Sequence, residues 1–162
     1  MKKVLLAIFL IGMLVGCSDA ADPIAEEAWE ITPTFTVEGE EREIVFRGFK
    51  NEVAFMDGMD FTKGEEYKTR WFFWGEELEE VNKGSFTLVG NHQETGEEVT
   101  LVESTAWELL NPTYKETATK TILGAQSSQH TVFSLPTAGL WRLDAYIGDK
   151  LYGNIVIEVK EG

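Results

Sequence analysis

The chain is poor in the residues on which much protein chemistry depends. It has one cysteine and two histidines in 162 residues. A single cysteine excludes an intramolecular disulfide and a cysteine-based zinc cluster. Lys and Arg number 14 against 28 Asp and Glu, for a net charge of −14. A nucleic-acid partner is excluded on that ground, because a phosphate backbone needs a basic face. No apolar run reaches the 18 residues that a membrane-spanning helix needs. The GxSxG nucleophile elbow, HExxH, the P-loop and GxGxxG are all missing. The sequence therefore carries no catalytic signature, no metal site and no cofactor site, and the expectation is a protein that is not an enzyme.

What is present begins at the N-terminus. Lys2 and Lys3 precede Val4 to Val15, a 12-residue stretch that is apolar except for Gly12. As a helix it would extend about 18 Å, short of the ~30 Å hydrocarbon core, so it reads as the h-region of a signal peptide. Leu14-Val15-Gly16-Cys17 follows directly. This tetrad resembles the lipobox of bacterial lipoproteins. The resemblance implies a diacylglyceryl group, with fatty chains such as palmitate, on the Cys17 sulfur and cleavage before Cys17, which becomes the lipidated first residue of the mature chain. It also explains why a secreted chain would keep one thiol. The alternative is an ordinary secretory signal with an incidental cysteine.

On the lipobox reading, residues 1–16 are the signal peptide, 17–28 a lipidated tether and 29–162 the folded domain. The mature chain carries 28 acids against 12 bases, a net −16. Its expected location is the extracytoplasmic face of the plasma membrane, held there through Cys17. Anionic lipid repels so acidic a domain, so the anchor holds it while its charge keeps it off the surface. Ser18 to Ala28 (SDAADPIAEEA) is small and acidic, and spans at most about 39 Å when extended. A short helix beginning near Pro23 is the other reading of its end.

From Ile31 onward the pattern is that of strands. Thr34–Val37, Ile44–Phe46, Val53–Phe55, Tyr67–Trp74, Ser85–Val89 and Glu98–Val102 are rich in β-formers and bounded by turns. Asn91 to Gly96 reads as a hairpin loop with Gly96 in the left-handed position. Glu76–Val81 could form a short helical turn. Trp107 to Gln129 has low apolar density and reads as a long connection with at most one edge strand, before a strand over His130–Leu135. The end is the clearest part. Trp141, Leu143, Ala145 and Ile147 alternate with polar residues, Gly148-Asp149 makes a turn, and Leu151, Ile155, Ile157 and Val159 alternate again. A period of 2 over this length means a half-buried antiparallel hairpin. Seven or eight such strands with almost no helix imply an all-β antiparallel sandwich.

The stretch Leu135–Leu143 (LPTAGLWRL) resembles the penultimate strand of bacterial immunoglobulin-like domains. Together with Arg70–Gly75 (RWFFWG), the Asn91–Gly96 hairpin and the GLWRLDAYIGDKLYGNIVIEVK terminus, it is similar to bacillus-type lipoproteins that carry one such domain behind a lipobox. The resemblance implies an immunoglobulin-like fold and a Gram-positive host, and no particular activity. Ser18-Asp19 after the cysteine leaves the envelope type open.

Three functional classes compete. The first is an interaction module that binds a protein or cell-envelope glycan. The second is a carbohydrate-binding module. All five Trp lie in the mature chain, and Trp71, Phe72, Phe73 and Trp74 are consecutive. On a strand, successive side chains point to opposite faces, so one pair fills the core while the other is either covered or exposed as a platform. Trp71, Phe72, Trp74 and Trp107 are the candidate surface. The third class is a hydrolase with an acidic dyad, drawn from Glu38–Glu43, Glu76–Glu80 or Asp57 and Asp60. It needs two carboxylates about 5–9.5 Å apart in a cleft. Solvated acidic turns are the plain alternative. His92 reads as a solvated loop residue, and His130 lies close in sequence to Ser127 and Ser128.

Overall fold

A computed structural model of the chain describes residues 29–38, 43–75, 78, 85–104, 108–109 and 124–162. The leader, the tether with Cys17, Trp107 and most of the two glutamate clusters lie outside the described residues.

Eleven strands follow in order: β1 Thr34–Glu38, β2 Glu43–Phe49, β3 Val53–Met56, β4 Phe61–Thr62, β5 Glu66–Phe73, β6 Phe86–His92, β7 Glu98–Ser104, β8 Glu108–Leu109, β9 Ser127–Ser134, β10 Gly139–Ile147 and β11 Lys150–Lys160. They form two sheets. One has the order β1-β2-β3-β5-β9-β8, the other β4-β11-β10-β6-β7. Every pairing is antiparallel except β4 with β11. The chain is an all-β sandwich with more strands than the seven or eight expected. The surplus includes two two-residue pieces, β4 and β8. Two residues are too few to show a period.

The main core lies between the sheets. Val53, Phe55, Trp71, Phe73, Phe133 and Leu135 meet Phe86, Leu88, Trp141, Leu143, Ala145, Ile147, Ile155, Ile157 and Val159. Each Leu, Ile or Phe buried in this way contributes on the order of 1.5–3 kcal/mol. The rings pack closely, with Phe55 to Trp71 at 5.0 Å and Phe73 to Phe86 at 5.8 Å between centroids.

The terminal hairpin follows the expected alternation except at Asp144 and Val156, which are buried on the other face, and at Leu151. The β10–β11 register slips between Ala145 and Tyr146, where Gly153 faces Ala145 but Leu151 faces Tyr146. The extra residue reverses the faces of the strand. Leu151 is therefore 44% exposed, although the pattern groups it with the core. Tyr152 turns inward instead, packs 5.5 Å from Phe73 and donates its hydroxyl proton to the Trp74 carbonyl.

The two sheets are also joined at their N-terminal end. Thr32 donates its N–H to Val156 O (3.0 Å), and its hydroxyl accepts from Val156 N–H (2.8 Å). Its carbonyl accepts from Arg47 of β2 at 2.7 Å. Gly48 N–H then bonds Pro33 O at 3.1 Å. The chain thus touches the edge of β11 in one sheet before it enters β1 in the other.

Candidate functional site

Strand β5 decides the fate of the aromatic surface. It is paired on both sides, with β3 over Phe55↔Trp71 to Val53↔Phe73, and with β9 along its whole length. Trp71 and Phe73 face the inter-sheet core. Phe72 and Trp74 face the opposite side of the sheet, where they join Phe46, Ala54 and Ala125, with Phe35, Val37, Ile44 and Met56 packed around. Phe46 lies edge-on to Phe72 at 5.6 Å and is stacked on Phe35 at 5.4 Å. Trp71, Phe72 and Trp74 are 0, 1 and 7% exposed. The open aromatic platform is overturned for these three residues. Strand β5 is central, and each of its faces has a hydrophobic cluster to fill. The sugar-stacking reading loses its surface with them, and Trp107 lies outside the described residues. Burial is not free of cost, since among the described residues the Trp71 indole N–H has no hydrogen-bond partner. A buried donor left so costs about 1–3 kcal/mol.

Three of the described carboxylates, Asp57, Asp60 and Asp144, have cationic partners. Asp57 receives Arg47 Nε at 2.8 Å and Nη2 at 2.7 Å. Asp60 pairs with Lys160 at 2.9 Å. Asp144 is buried and accepts from Arg142 Nε (2.8 Å), Arg142 Nη2 (2.9 Å) and Asn91 Nδ2 (3.0 Å). These hydrogen bonds from the guanidinium to Asp144 hold Arg142 above its ordinary value, against the opposing effect of its partial burial. Arg142 also lies 5.2 Å from the ring of Trp29, the first described residue. Among the described residues no group of three or more His, Cys, Asp or Glu is placed to hold a metal ion.

Both histidines have structural partners. His92 is not a solvated loop residue: it ends β6 and is 2% exposed. Its Nδ1 accepts from Thr95 N–H at 3.2 Å, and its Nε2 lies 2.9 Å from Ala138 O. This pattern assigns the ring proton to Nε2 and the lone pair to Nδ1. The ring sits 5.0 Å from Trp141 and ties the β6–β7 hairpin to the start of β10. Gly139 makes that approach possible, because a Cβ there would lie 2.7 Å from His92 Nε2. The hairpin itself is as expected, with Gly96 at φ 67°.

His130 stands on the outer face of β9, opposite Arg70 of β5. Arg70 Nε donates to His130 Nε2 at 2.8 Å, and Arg70 Nη1 donates to Ser128 Oγ at 3.0 Å. Arg70 thus donates to both the serine and the histidine. The sequence neighbours do not form a nucleophile–base pair of the triad kind, in which the serine donates to the histidine.

Beside this cluster a cavity of ≈ 700 Å³ opens between the β3–β4 loop and strands β5 and β9. Met56, Met59, Phe61, Tyr67 and Val132 supply apolar surface, while Lys68, Arg70 and His130 supply polar groups. Pairing of β3 with β5 stops at Phe55↔Trp71, and the chain then leaves for β4 in the other sheet. The Thr69 hydroxyl donates to Met56 O at 2.6 Å and pins the loop where it departs. Sequence reasoning did not find this concavity. Its walls come from four separate segments, none with a local motif. The only local sign is the pair Lys68 and Arg70, which share one face of a strand at a spacing of two.

No curated protein matches the chain. A "putative lipoprotein" from Bacillus anthracis is 22% identical in sequence, covers 82% of this chain and 87% of its own, and superposes with a TM-score of 0.53. An immunoglobulin-like protein from Pseudomonas aeruginosa is 13% identical over 79% of this chain and 92% of its own, with a TM-score of 0.35. A "putative lipoprotein" from Staphylococcus aureus is 11% identical over 80% of this chain and 99% of its own, with a TM-score of 0.29. At such identities the first likeness carries the fold and nothing of activity. A family model described as a domain of unknown function, DUF4871, matches residues 21–157, and the chain belongs to that family.

Proposed function

We propose that the chain is an extracytoplasmic lipoprotein, a non-enzymatic binding module held at the outer face of the plasma membrane through lipidated Cys17. One observation carries this reading. Leu14-Val15-Gly16-Cys17 closes a 12-residue apolar stretch, and only eleven residues separate the cysteine from Trp29, where the described domain begins. Two acyl chains on one residue suffice for stable anchoring, since each buried CH₂ contributes about 0.8 kcal/mol and a single chain binds only marginally. Among the described residues no helix is long and apolar enough to cross a membrane. The Bacillus anthracis structure, described as a putative lipoprotein, supports the same placement. The non-enzymatic part draws support from the two most buried described carboxylates, Asp57 and Asp144. Each faces an arginine instead of a second acid. The partner is a protein or an envelope component, and the module meets it within reach of its tether.

The test is metabolic labelling. Radiolabelled palmitate enters the wild-type product and sediments with membranes, while Cys17→Ala carries no label and is recovered in the soluble fraction. An unlabelled wild-type product would remove the anchor.

A further inference from the structure

Four strands stand at the edges of the two sheets, β1 and β8 in one, β4 and β7 in the other. An open edge offers unpaired N–H and C=O groups to another strand, so native proteins shorten, bulge or charge such strands. Three of the four are blunted in this way. β4 and β8 have two residues each. β7 carries Leu101 as an extra residue against β6, and glutamates at 98 and 103. β1 has no such device beyond its terminal Glu38. Its five residues, Thr34-Phe35-Thr36-Val37-Glu38, pair with β2 in unbroken register and include no lysine, proline or bulge. Among the described residues no strand pairs with its outer edge.

The register fixes where the free groups of β1 point. Gly48 N–H bonds Pro33 O at 3.1 Å. Residues alternate in direction along an antiparallel ladder, so Phe35 and Val37 turn their backbone groups to β2, while Thr34, Thr36 and Glu38 turn theirs outward. The side chains sort in the same way. Phe35 and Val37 are half-buried at the margin of the outer cluster, with Phe35 stacked on Phe46 at 5.4 Å. Thr34, Thr36 and Glu38 are exposed, and Val45, which pairs with Thr36, is 39% exposed. The other sheet leaves this margin uncovered.

The strand complements itself. Two copies set antiparallel about Thr36 bring Thr36 against Thr36, Thr34 against Glu38 and Phe35 against Val37. Each outward residue then exchanges both of its backbone bonds. Phe35 of one copy meets Val37 of the other, which continues the outer cluster from molecule to molecule, and aromatic–β-branched and Thr–Thr pairs favour strand association. The two Glu38 side chains lie about 14 Å apart, four residues at ~3.4 Å each, which exceeds the Debye length of ~8 Å. β7 fails the same test, because two copies about Leu101 set Glu103 against Val99. We propose that β1 is an interaction edge whose partner is a second copy of this chain, joined antiparallel about Thr36 into one sheet across two molecules. The proposal rests on the binding-module reading and names its partner. Anchoring assists it, since two copies held in one bilayer meet at a raised effective concentration.

The full-length protein, in the membranes of the cells that produce it, is oxidised with copper phenanthroline and resolved on non-reducing gels. On the two-fold axis a Cα separation of about 5.5 Å suits a disulfide. Thr36→Cys is therefore expected to give a linked dimer at least about tenfold faster than Leu151→Cys, an exposed position in the other sheet that reports random collision. Thr34→Cys and Glu38→Cys each link no faster than Leu151→Cys alone, but link to one another when the two variants are co-produced. This mixed pair serves if Thr36→Cys fails to fold. The proposal is overturned if Thr36→Cys and the mixed pair both link at the collision rate, or if Thr34→Cys alone links as fast as the mixed pair. Linked dimers of the wild-type chain would report a free Cys17 thiol and remove the anchor alone. Collision-rate linking at β1 with palmitate labelling intact would remove the pairing alone.

Discussion

The terminal hairpin β10–β11 and the central strand β5 bury side chains of similar size by opposite means. In β10, Trp141, Leu143, Ala145 and Ile147 go inward, while on the other face Arg142 and Tyr146 stay half-exposed and Asp144 is buried only under its polar partners Arg142 and Asn91. In β5, Trp71, Phe72 and Phe73 are consecutive and all buried. Alternation reports a strand with one dry face. A continuous run reports a strand with two. The hairpin needs one core, whereas β5 joins two, one between the sheets and one on the outer side of its own sheet.

That contrast can be broken by experiment. Trp71→Ala, on the inner face, is expected to cost about 3–5 kcal/mol in chemical denaturation. Phe72→Ala, on the outer face, should come close to it, because Phe72 is 1% exposed. A loss below about 1 kcal/mol at Phe72 would reduce the outer cluster to a surface patch and leave the molecule with one core. Next in size is Gly139→Ala, expected to cost about 1–3 kcal/mol, since it places a Cβ at 2.7 Å from His92 Nε2 and at a φ of +124°. In a His92→Ala background the same change should cost less, and a double-mutant cycle reads the coupling. Strict additivity would mean that backbone strain alone is responsible. The smallest effect is expected at Leu151→Thr, within about 0.5 kcal/mol, because the bulge has already put Leu151 in water. A loss above 2 kcal/mol there would return Leu151 to the core and contradict the slipped register.

How much could be read in advance follows from the same physics. The strands with one wet face were legible, and so was the Gly96 hairpin, because a period of 2 and a left-handed glycine are local signals. The edge strand expected within Trp107–Gln129 is present as β8, which pairs with β9 at Glu108↔Ser128. The start of β9 was not legible. Ser127, Ser128 and Gln129 are polar yet buried, so apolar density gave no cue. His92 misled for a related reason. Its burial depends on Ala138 and Gly139, more than forty positions away. Leu151 failed because one extra residue reverses a strand's faces without any mark in composition. The cavity is the extreme case, since its apolar walls and its cations meet only after the chain has crossed between sheets.

Thr32 has a mechanical consequence. Any pull applied through the N-terminal chain reaches this residue before it reaches β1. There the load divides, part passing to Val156 in one sheet and part to Arg47 in the other. The first hairpin cannot be peeled away until both attachments yield, so the fold resists tension at the end where a tether would apply it.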